Sequence, residues 1–324
     1  MTSAFDVLGI GNAIVDVISR ADDAFLAKHA LTKGSMMLID EARAEALYSA
    51  MGTAVEVSGG SCGNTMAGVA SFGGKGAYIG KVRNDQLGSV FGHDLKAIGV
   101  SFATPPASRG PSTARCLIAV TPDAQRTMST YLGACTGLGP DDIDTALVGS
   151  AQVTYVEGYL WDAPDAKKAV LKAFDAAHAA GRKVSITLSD SFCVDRYRDE
   201  FRALIRDQVD ILFGNESEIK SLYQVDTFEA AVEAARKEAK VAALTRSEQG
   251  SVVIKGGETH RVPSAPVAKV IDTTGAGDLY AAGFLYGFTH GKPLAECARL
   301  GGIAAAEIIS HVGARPEKPL KDLV

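Results

Sequence analysis

The segment Asp272-Thr273-Thr274-Gly275-Ala276-Gly277-Asp278 carries the residue types needed to move a phosphoryl group. Gly275, Ala276 and Gly277 are small enough for the backbone to turn sharply and approach a ligand closely. The helix-like run 279–286 that follows would aim its unpaired N–H groups at that turn and make an anion site. Asp278, in the first helical turn, would repel phosphate but can take a proton from an alcohol. An anion site beside such a base suits phosphoryl transfer to a hydroxyl. The bland alternative for the segment alone is an ordinary helix start, since an acid there favours the macrodipole.

Two further stretches have the same character. Gly59-Gly60-Ser61-Cys62-Gly63-Asn64 follows a short strand, 54–58, and leads into a helix. Its glycines permit close approach, and Asn64 can donate to and accept from hydroxyls; a simple strand-to-helix turn with a cap would look similar. In Asp210-Ile211-Leu212-Phe213-Gly214-Asn215-Glu216-Ser217-Glu218, an apolar strand delivers Asn215 and Glu218 to one helical turn. Oxygen ligands so arranged suit a water-bearing magnesium ion beside phosphate, whereas a capping box would use the same two residues. No Gly-x-x-x-x-Gly-Lys-Ser/Thr occurs, which excludes a Walker-type site. Gly9 and Gly11 begin a dinucleotide fingerprint, but Ile14 replaces its third glycine, so a nicotinamide oxidoreductase is disfavoured.

The composition narrows the class. The 324 residues, 47% hydrophobic and 22% charged, suffice for one large α/β domain with a smaller appendage. A net charge of −5 gives no reason to expect nucleic acid or an anionic membrane as partner. The 5 cysteines (62, 116, 135, 193 and 297) are scattered, without Cys-x-x-Cys, which argues against a disulfide framework or zinc site. Asp6, Asp16, Asp22 and Asp23 near the start speak against a targeting peptide. No apolar run reaches the roughly 18 residues of a membrane span, so a cytoplasmic protein is expected.

Positioning these residues requires a repeated strand–helix pattern. Strands are expected at 5–12, ending in a Gly-rich turn, and at 77–82, 153–156, 183–188, 211–213 and 241–245, with helices at 61–72, 86–98, 163–180, 191–206, 216–223 and 227–239. Such alternation implies a parallel sheet covered on both faces. A hairpin is expected at 251–261, with closing helices near 278–289 and 294–310. Four segments differ: 13–19 and 35–39 around a helix at 22–30, and 113–121 and 126–131 joined by the turn 122–125. With no crossover helices between paired members, they should form a separate small sheet. The expected division is a large domain of 1–12, 41–108 and 136–324, with a lid of 13–40 and 109–135.

Together the three stretches, in this order and spacing, resemble the PfkB family of carbohydrate and nucleoside kinases, over essentially the whole chain. The resemblance implies a ribokinase-like, Rossmann-type αβα sandwich with a small β-sheet lid. It also implies ATP and Mg2+ as cofactors and possible K+. Within the family the chain looks most similar to the adenosine kinases, through Gly11-Asn12-Ala13-Ile14-Val15-Asp16, Gly158-Tyr159, the 210–218 segment and the C-terminal segment Cys297–Pro319, ending Pro316-Glu317-Lys318-Pro319. Carried over residue by residue, Asp278 is the base on the acceptor hydroxyl, and the N–H groups of Gly275, Ala276 and Gly277 form the anion hole. Arg126 reaches the transferring phosphate. Asn12, Asp16, Gly60, Ser61, Asn64 and Tyr159 bind the acceptor, while Asn215, Thr245, Gly250, Thr274, Gly275 and Gly277 border ATP. Asn215 and Glu218 would support Mg2+ through water, and Asp272 and Thr274 a monovalent cation.

Two residues depart from the adenosine kinase pattern. Arg115, in a lid strand, would face a polar acceptor, and Gly302 stands where a bulkier residue is expected near the nucleotide base. The implied reaction is therefore transfer of the γ-phosphoryl group of ATP to a hydroxymethyl group, with adenosine to AMP leading and a ribokinase-type sugar kinase as the alternative. A non-catalytic nucleotide sensor is a third reading, but it would gain nothing from Asp278. The expected partners are the small-molecule acceptor and ATP, with no nucleic acid and no membrane, in a monomer or homodimer.

Overall fold

The structure is a computed structural model that describes residues 3–123 and 125–324. In chain order its strands are β1 (Phe5–Ile10), β2 (Ile14–Arg20), β3 (Met36–Leu38), β4 (Ala54–Ser58), β5 (Gly76–Ile79), β6 (Ser101–Phe102) and β7 (Ala114–Val120). They continue as β8 (Arg126–Tyr131), β9 (Ala151–Glu157), β10 (Lys183–Thr187), β11 (Ile211–Asn215), β12 (Val241–Thr245), β13 (Ser251–Lys255) and β14 (Glu258–Val262). Nine of them form one sheet in the order β14-β13-β12-β11-β10-β9-β1-β5-β6. It is parallel from β12 to β6, and the β13–β14 hairpin adds an antiparallel edge.

Alternation along these strands builds two cores. Val7, Tyr155, Ile211 and Phe213 face one layer, with the helices Ser61–Ser71, Ala276–Thr289 and Leu294–Ile308. Leu8, Ile10, Val156, Ile186 and Leu212 face the other, with Pro164–Ala179, Ser191–Asp207 and Phe228–Glu238. Burial on both faces is why these runs are mostly apolar, with Thr154, Ser185 and Glu157 as buried polar exceptions. A shared strand direction collects the ends of β1, β9, β10, β11 and β12 on one edge, where ligands of open α/β sheets bind.

The second sheet has five strands, ordered β3-β8-β7-β2-β4, and this corrects the expected division of the chain. Only β7 and β8 form a hairpin, with Ala124 of the expected turn outside the described residues. β2 pairs in parallel with β7, and β3 in parallel with β8, so long crossovers do join members of this sheet. β4, assigned from sequence to the large domain, pairs antiparallel with β2, Asp16 opposite Val57. Ala44 and Leu47 of the helix Glu41–Ala50 join Val15, Val17 and Leu117 in the core on the far face of this sheet. The physical reason is that β2 offered an unpaired edge, and sequence does not say which edge a short strand will choose. The chain crosses between the sheets at Gly59-Gly60, where the Gly59 N–H donates to Ile14 O at 2.8 Å.

Candidate active site

Two glycine turns, each opening a helix, meet at the strand-end edge. Gly60 caps Ser61–Ser71 with φ 80°, and a Cβ there would lie 2.5 Å from Asn12 O. Gly275 caps Ala276–Thr289 in the left-handed region, φ 79°. Both positions therefore favour glycine. The turns bring Ser61, Asn64 and Asp278 together. Ser61 Oγ donates to Asp278 Oδ1 at 2.7 Å, and Asn64 Nδ2 donates to Oδ2 at 3.0 Å. Burial pushes Asp278 up to about 6, against the pull of these two hydrogen bonds and of the Arg315 charge. A carboxylate so tuned holds a proton weakly near neutral pH, as a general base must. Asn64 Oδ1 is buried without a partner, an acceptor free for a hydroxyl.

Asp16 reaches the same place from β2, closely enough that a Cβ on Gly59 would lie 2.4 Å from its Cγ. Burial raises it to about 6, opposed by the charges of Arg126 and Arg315. Asn12 adjoins, its N–H donating 2.9 Å to Glu157 Oε1. Tyr159 lies at the end of β9 in a short 3-10 turn, its N–H donating to Ser189 Oγ at 3.3 Å. Burial and the nearby Asp190 push its phenol up.

Beside the Gly275 turn lie two adjoining cavities. A slot of about 100 Å³ is lined by Thr245, Gly250, Tyr280, Ala298, Gly302 and Ala305. It shares Thr245, Ala276, Gly277 and Tyr280 with a cleft of about 190 Å³ that also includes Asn215, Glu218 and Asp278. Gly302 thus belongs to the slot and helps leave room in it. The three N–H groups of the expected anion hole are not equivalent. Ala276 N–H closes the turn onto Thr273 O at 3.2 Å, whereas among the described residues those of Gly275 and Gly277 have no backbone acceptor.

Three expected ligands are engaged by protein. Asn215 and Glu218 form a capping box: Glu218 N–H donates to Asn215 Oδ1, while Asn215 N and Nδ2 donate to the two Glu218 oxygens at 2.9 and 2.6 Å. Glu218 is raised to about 7, chiefly by burial. Among the described residues no group of three or more His, Cys, Asp or Glu could cage a metal. The pair fits a magnesium ion held by phosphate and water, not one held by protein. Asp272 takes Arg126 Nη1 at 2.6 Å, the Gly313 N–H, and both N–H and Oγ1 of Thr274. Its oxygens are occupied, and its cationic partner is Arg126. Arg126 Nε and Nη2 stay buried and unpartnered.

Arg115 is a correction. Asp16 pairs with Cys116, so Arg115 one residue earlier lies on the opposite face of the sheet from Asp16. Its guanidinium sits 5.5 Å over the Tyr131 ring and close to Glu41. Two residues escaped the sequence reading. Glu157, 1% exposed, accepts the N–H groups of Asn12 and Cys62 and so ties β1 to the helix Ser61–Ser71. Arg315 binds Ser58 and Gly63. The acid Glu157 ending an apolar strand was the available signal; Arg315 lies in the 297–319 segment, whose resemblance pointed to the family and not to this side chain.

A glycine-opened helix with a buried carboxylate in its first turn and an adjoining cleft is an arrangement suited to a phosphotransferase with a hydroxyl acceptor. The pfkB family of carbohydrate kinases matches residues 29–321, and the chain belongs to that family. Its members support an ATP-dependent phosphotransferase activity. A structure described as adenosine kinase from Sinorhizobium meliloti is 54% identical, with TM-score 0.91 and 98% of each chain covered. A "probable sugar kinase protein" from Rhizobium etli CFN 42 is also 54% identical, with TM-score 0.92 and coverage of 99% of this chain and 98% of that one. Adenosine kinase of Saccharomyces cerevisiae is 27% identical over 97% of this chain and 96% of its own. Among the described residues no helix is long and apolar enough to cross a membrane.

Proposed function

We propose that this enzyme transfers the γ-phosphoryl group of ATP to the 5′-hydroxyl of adenosine, giving AMP and ADP. The observation that carries the proposal is Asp278, held by Ser61 and Asn64 in the first turn of a glycine-opened helix. The hydroxyl oxygen attacks the γ-phosphorus, its proton passes to Asp278, and the bond from phosphorus to the β-bridging oxygen breaks. The free N–H groups of Gly275 and Gly277 and the unpartnered nitrogens of Arg126 are suited to the charge on the moving group. Thr245, Gly250 and Thr274 border ATP in this reading. Asn215 and Glu218 would hold Mg2+ through water, and the ion would supply neutralisation of phosphate charge. Because the Asp272 carboxylate is engaged by protein donors, the proposal places no K+ there.

Asp16, Asn12 and Asn64 provide a polar end for ribose hydroxyls, and Gly60 and Ser61 provide its wall, with Tyr159 nearby. The position of Arg115 on the other face removes the sequence feature that favoured a more polar acceptor. The names of the two relatives with 54% identity, an adenosine kinase and a sugar kinase, make a ribokinase-type acceptor the rival. The test is ATP consumption with adenosine, other nucleosides, ribose, fructose and 2-keto-3-deoxygluconate. Adenosine should be preferred, and 2′-deoxyadenosine should be at least about tenfold poorer in kcat/KM. Asp16→Ala should erase most of that preference. A free sugar as the better acceptor would overturn the proposal.

A further inference from the structure

Arg315 carries none of the roles expected from sequence, yet its guanidinium fastens the turn 58–63. Nε and Nη2 donate to Ser58 O at 3.0 and 2.6 Å, Nη2 also to Ser58 Oγ at 3.1 Å, and Nη1 to Gly63 O at 2.6 Å. These acceptors bracket Gly59-Gly60, the crossing between the small sheet and the helix Ser61–Ser71. Ser58 ends β4, and Gly63 sits between Ser61 and Asn64, the two residues that hold Asp278. A planar five-donor fork can span both sides of such a turn, which a lysine ammonium cannot.

The base of the arginine is itself tied down. Glu307 Oε1 accepts the N–H groups of Glu317 and Lys318 at 3.0 and 3.1 Å and lies 3.2 Å from His311 Nε2. The Gly313 N–H donates to Asp272 Oδ2 at 3.0 Å. Arg315 therefore joins a rigid C-terminal loop to the turn on which the acceptor is held.

We propose that Arg315 is a positioning residue for the acceptor: it clamps the 58–63 turn so that Ser61, Asn64 and Asp16 converge on Asp278, and its charge offsets the acids gathered there. The inference rests on the reaction proposed above, with Asp278 as base. The groups facing Asp278 are Asp16 from β2, Glu157 from β9 and Glu218 from the helix Glu216–Tyr223, together with Tyr155, Tyr159 and Cys62. Arg315 is the cation that pulls Asp278 down, and with Arg126 it does the same for Asp16.

The test compares the full chain with Arg315→Gln and Arg315→Lys. The readouts are steady-state kinetics with adenosine and ATP across pH, and amide exchange over 58–64. Arg315→Gln should raise the acceptor KM at least about tenfold with the ATP KM within about twofold. It should also move the acid-side midpoint of kcat upward by about half a unit or more, because a cation has been removed from a carboxylate. Arg315→Lys keeps the charge and loses the fork, so its midpoint should stay near wild type while its acceptor KM rises. Both variants should exchange faster over 58–64. An Arg315→Gln enzyme with wild-type acceptor KM and midpoint overturns the inference. So does an equal loss on the ATP and acceptor sides tracking a lowered melting temperature. If the wild type phosphorylates none of the acceptors, the proposed reaction falls instead. Exchange over 58–64 then decides the clamp alone: unchanged exchange in Arg315→Gln overturns it, and faster exchange upholds it.

Discussion

Asp278 sits between two opposing influences, burial that raises it and three polar neighbours that lower it, with an outcome of about 6. The sign of its pH effect follows. In the proposed role Asp278 accepts a proton only when ionised, so kcat/KM should be retained above about pH 7 and fall as pH drops through about 6. A profile flat down to pH 5 would count against the assignment. Asp278→Asn preserves shape and both neighbours but removes proton acceptance. It should lower kcat by at least about 10²-fold while ATP binding, measured by calorimetry, persists. Activity within tenfold of wild type would remove Asp278 from the mechanism.

The two glycine turns are elements with different tolerances. At Gly60 a side chain meets both a positive φ and the Asn12 carbonyl at 2.5 Å. Gly60→Ala should cost on the order of 1–3 kcal/mol and raise the acceptor KM, since the strain lands on the turn carrying Ser61. At Gly277 an added Cβ would touch nothing within 4 Å. Gly277→Ala should therefore leave the melting temperature within about 2 °C yet weaken ATP, because the methyl enters space beside a free N–H. Equal thermal loss in both variants, followed by calorimetry, would contradict this division.

For the molecule as a whole, one link between the small sheet and the large domain is a buried ion pair. Arg126 from β8 and Asp272 before the anion turn pair at 2.6 Å with side chains only 5% and 8% exposed. Two of the arginine's nitrogen atoms remain without partners. An ion pair this dry is costly unless fully satisfied, and a phosphate at the cleft would complete it. The small sheet is therefore expected to tighten on the site when acceptor and nucleotide bind, excluding water from the reaction. Amide exchange over 13–40 and 109–135, and over β4, should slow on acceptor binding. Identical exchange with and without acceptor would argue for a fixed sheet.

Sequence by itself determined the chemistry-bearing turns and the layered architecture, because each is a local matter. Glycines before a helix, an acid in its first turn and apolar strands alternating with amphipathic helices act within a few residues of themselves. The parallel sheet, the 251–261 hairpin and the glycine turn that opens the helix carrying Asp278 were legible for that reason. What only the tertiary structure decided was pairing across long separations. β4 joined the small sheet because β2 had an open edge. Arg115 turned away from Asp16 because strand register assigned it the other face. Ala276 spent its N–H on the turn, and Asp272 took Arg126 as its cation. Glu157 and Arg315 became part of the site because folding brought them to polar groups more than 90 residues distant in sequence. A buried N–H or carbonyl has to be satisfied by some partner, and no local pattern reveals which distant residue will supply it.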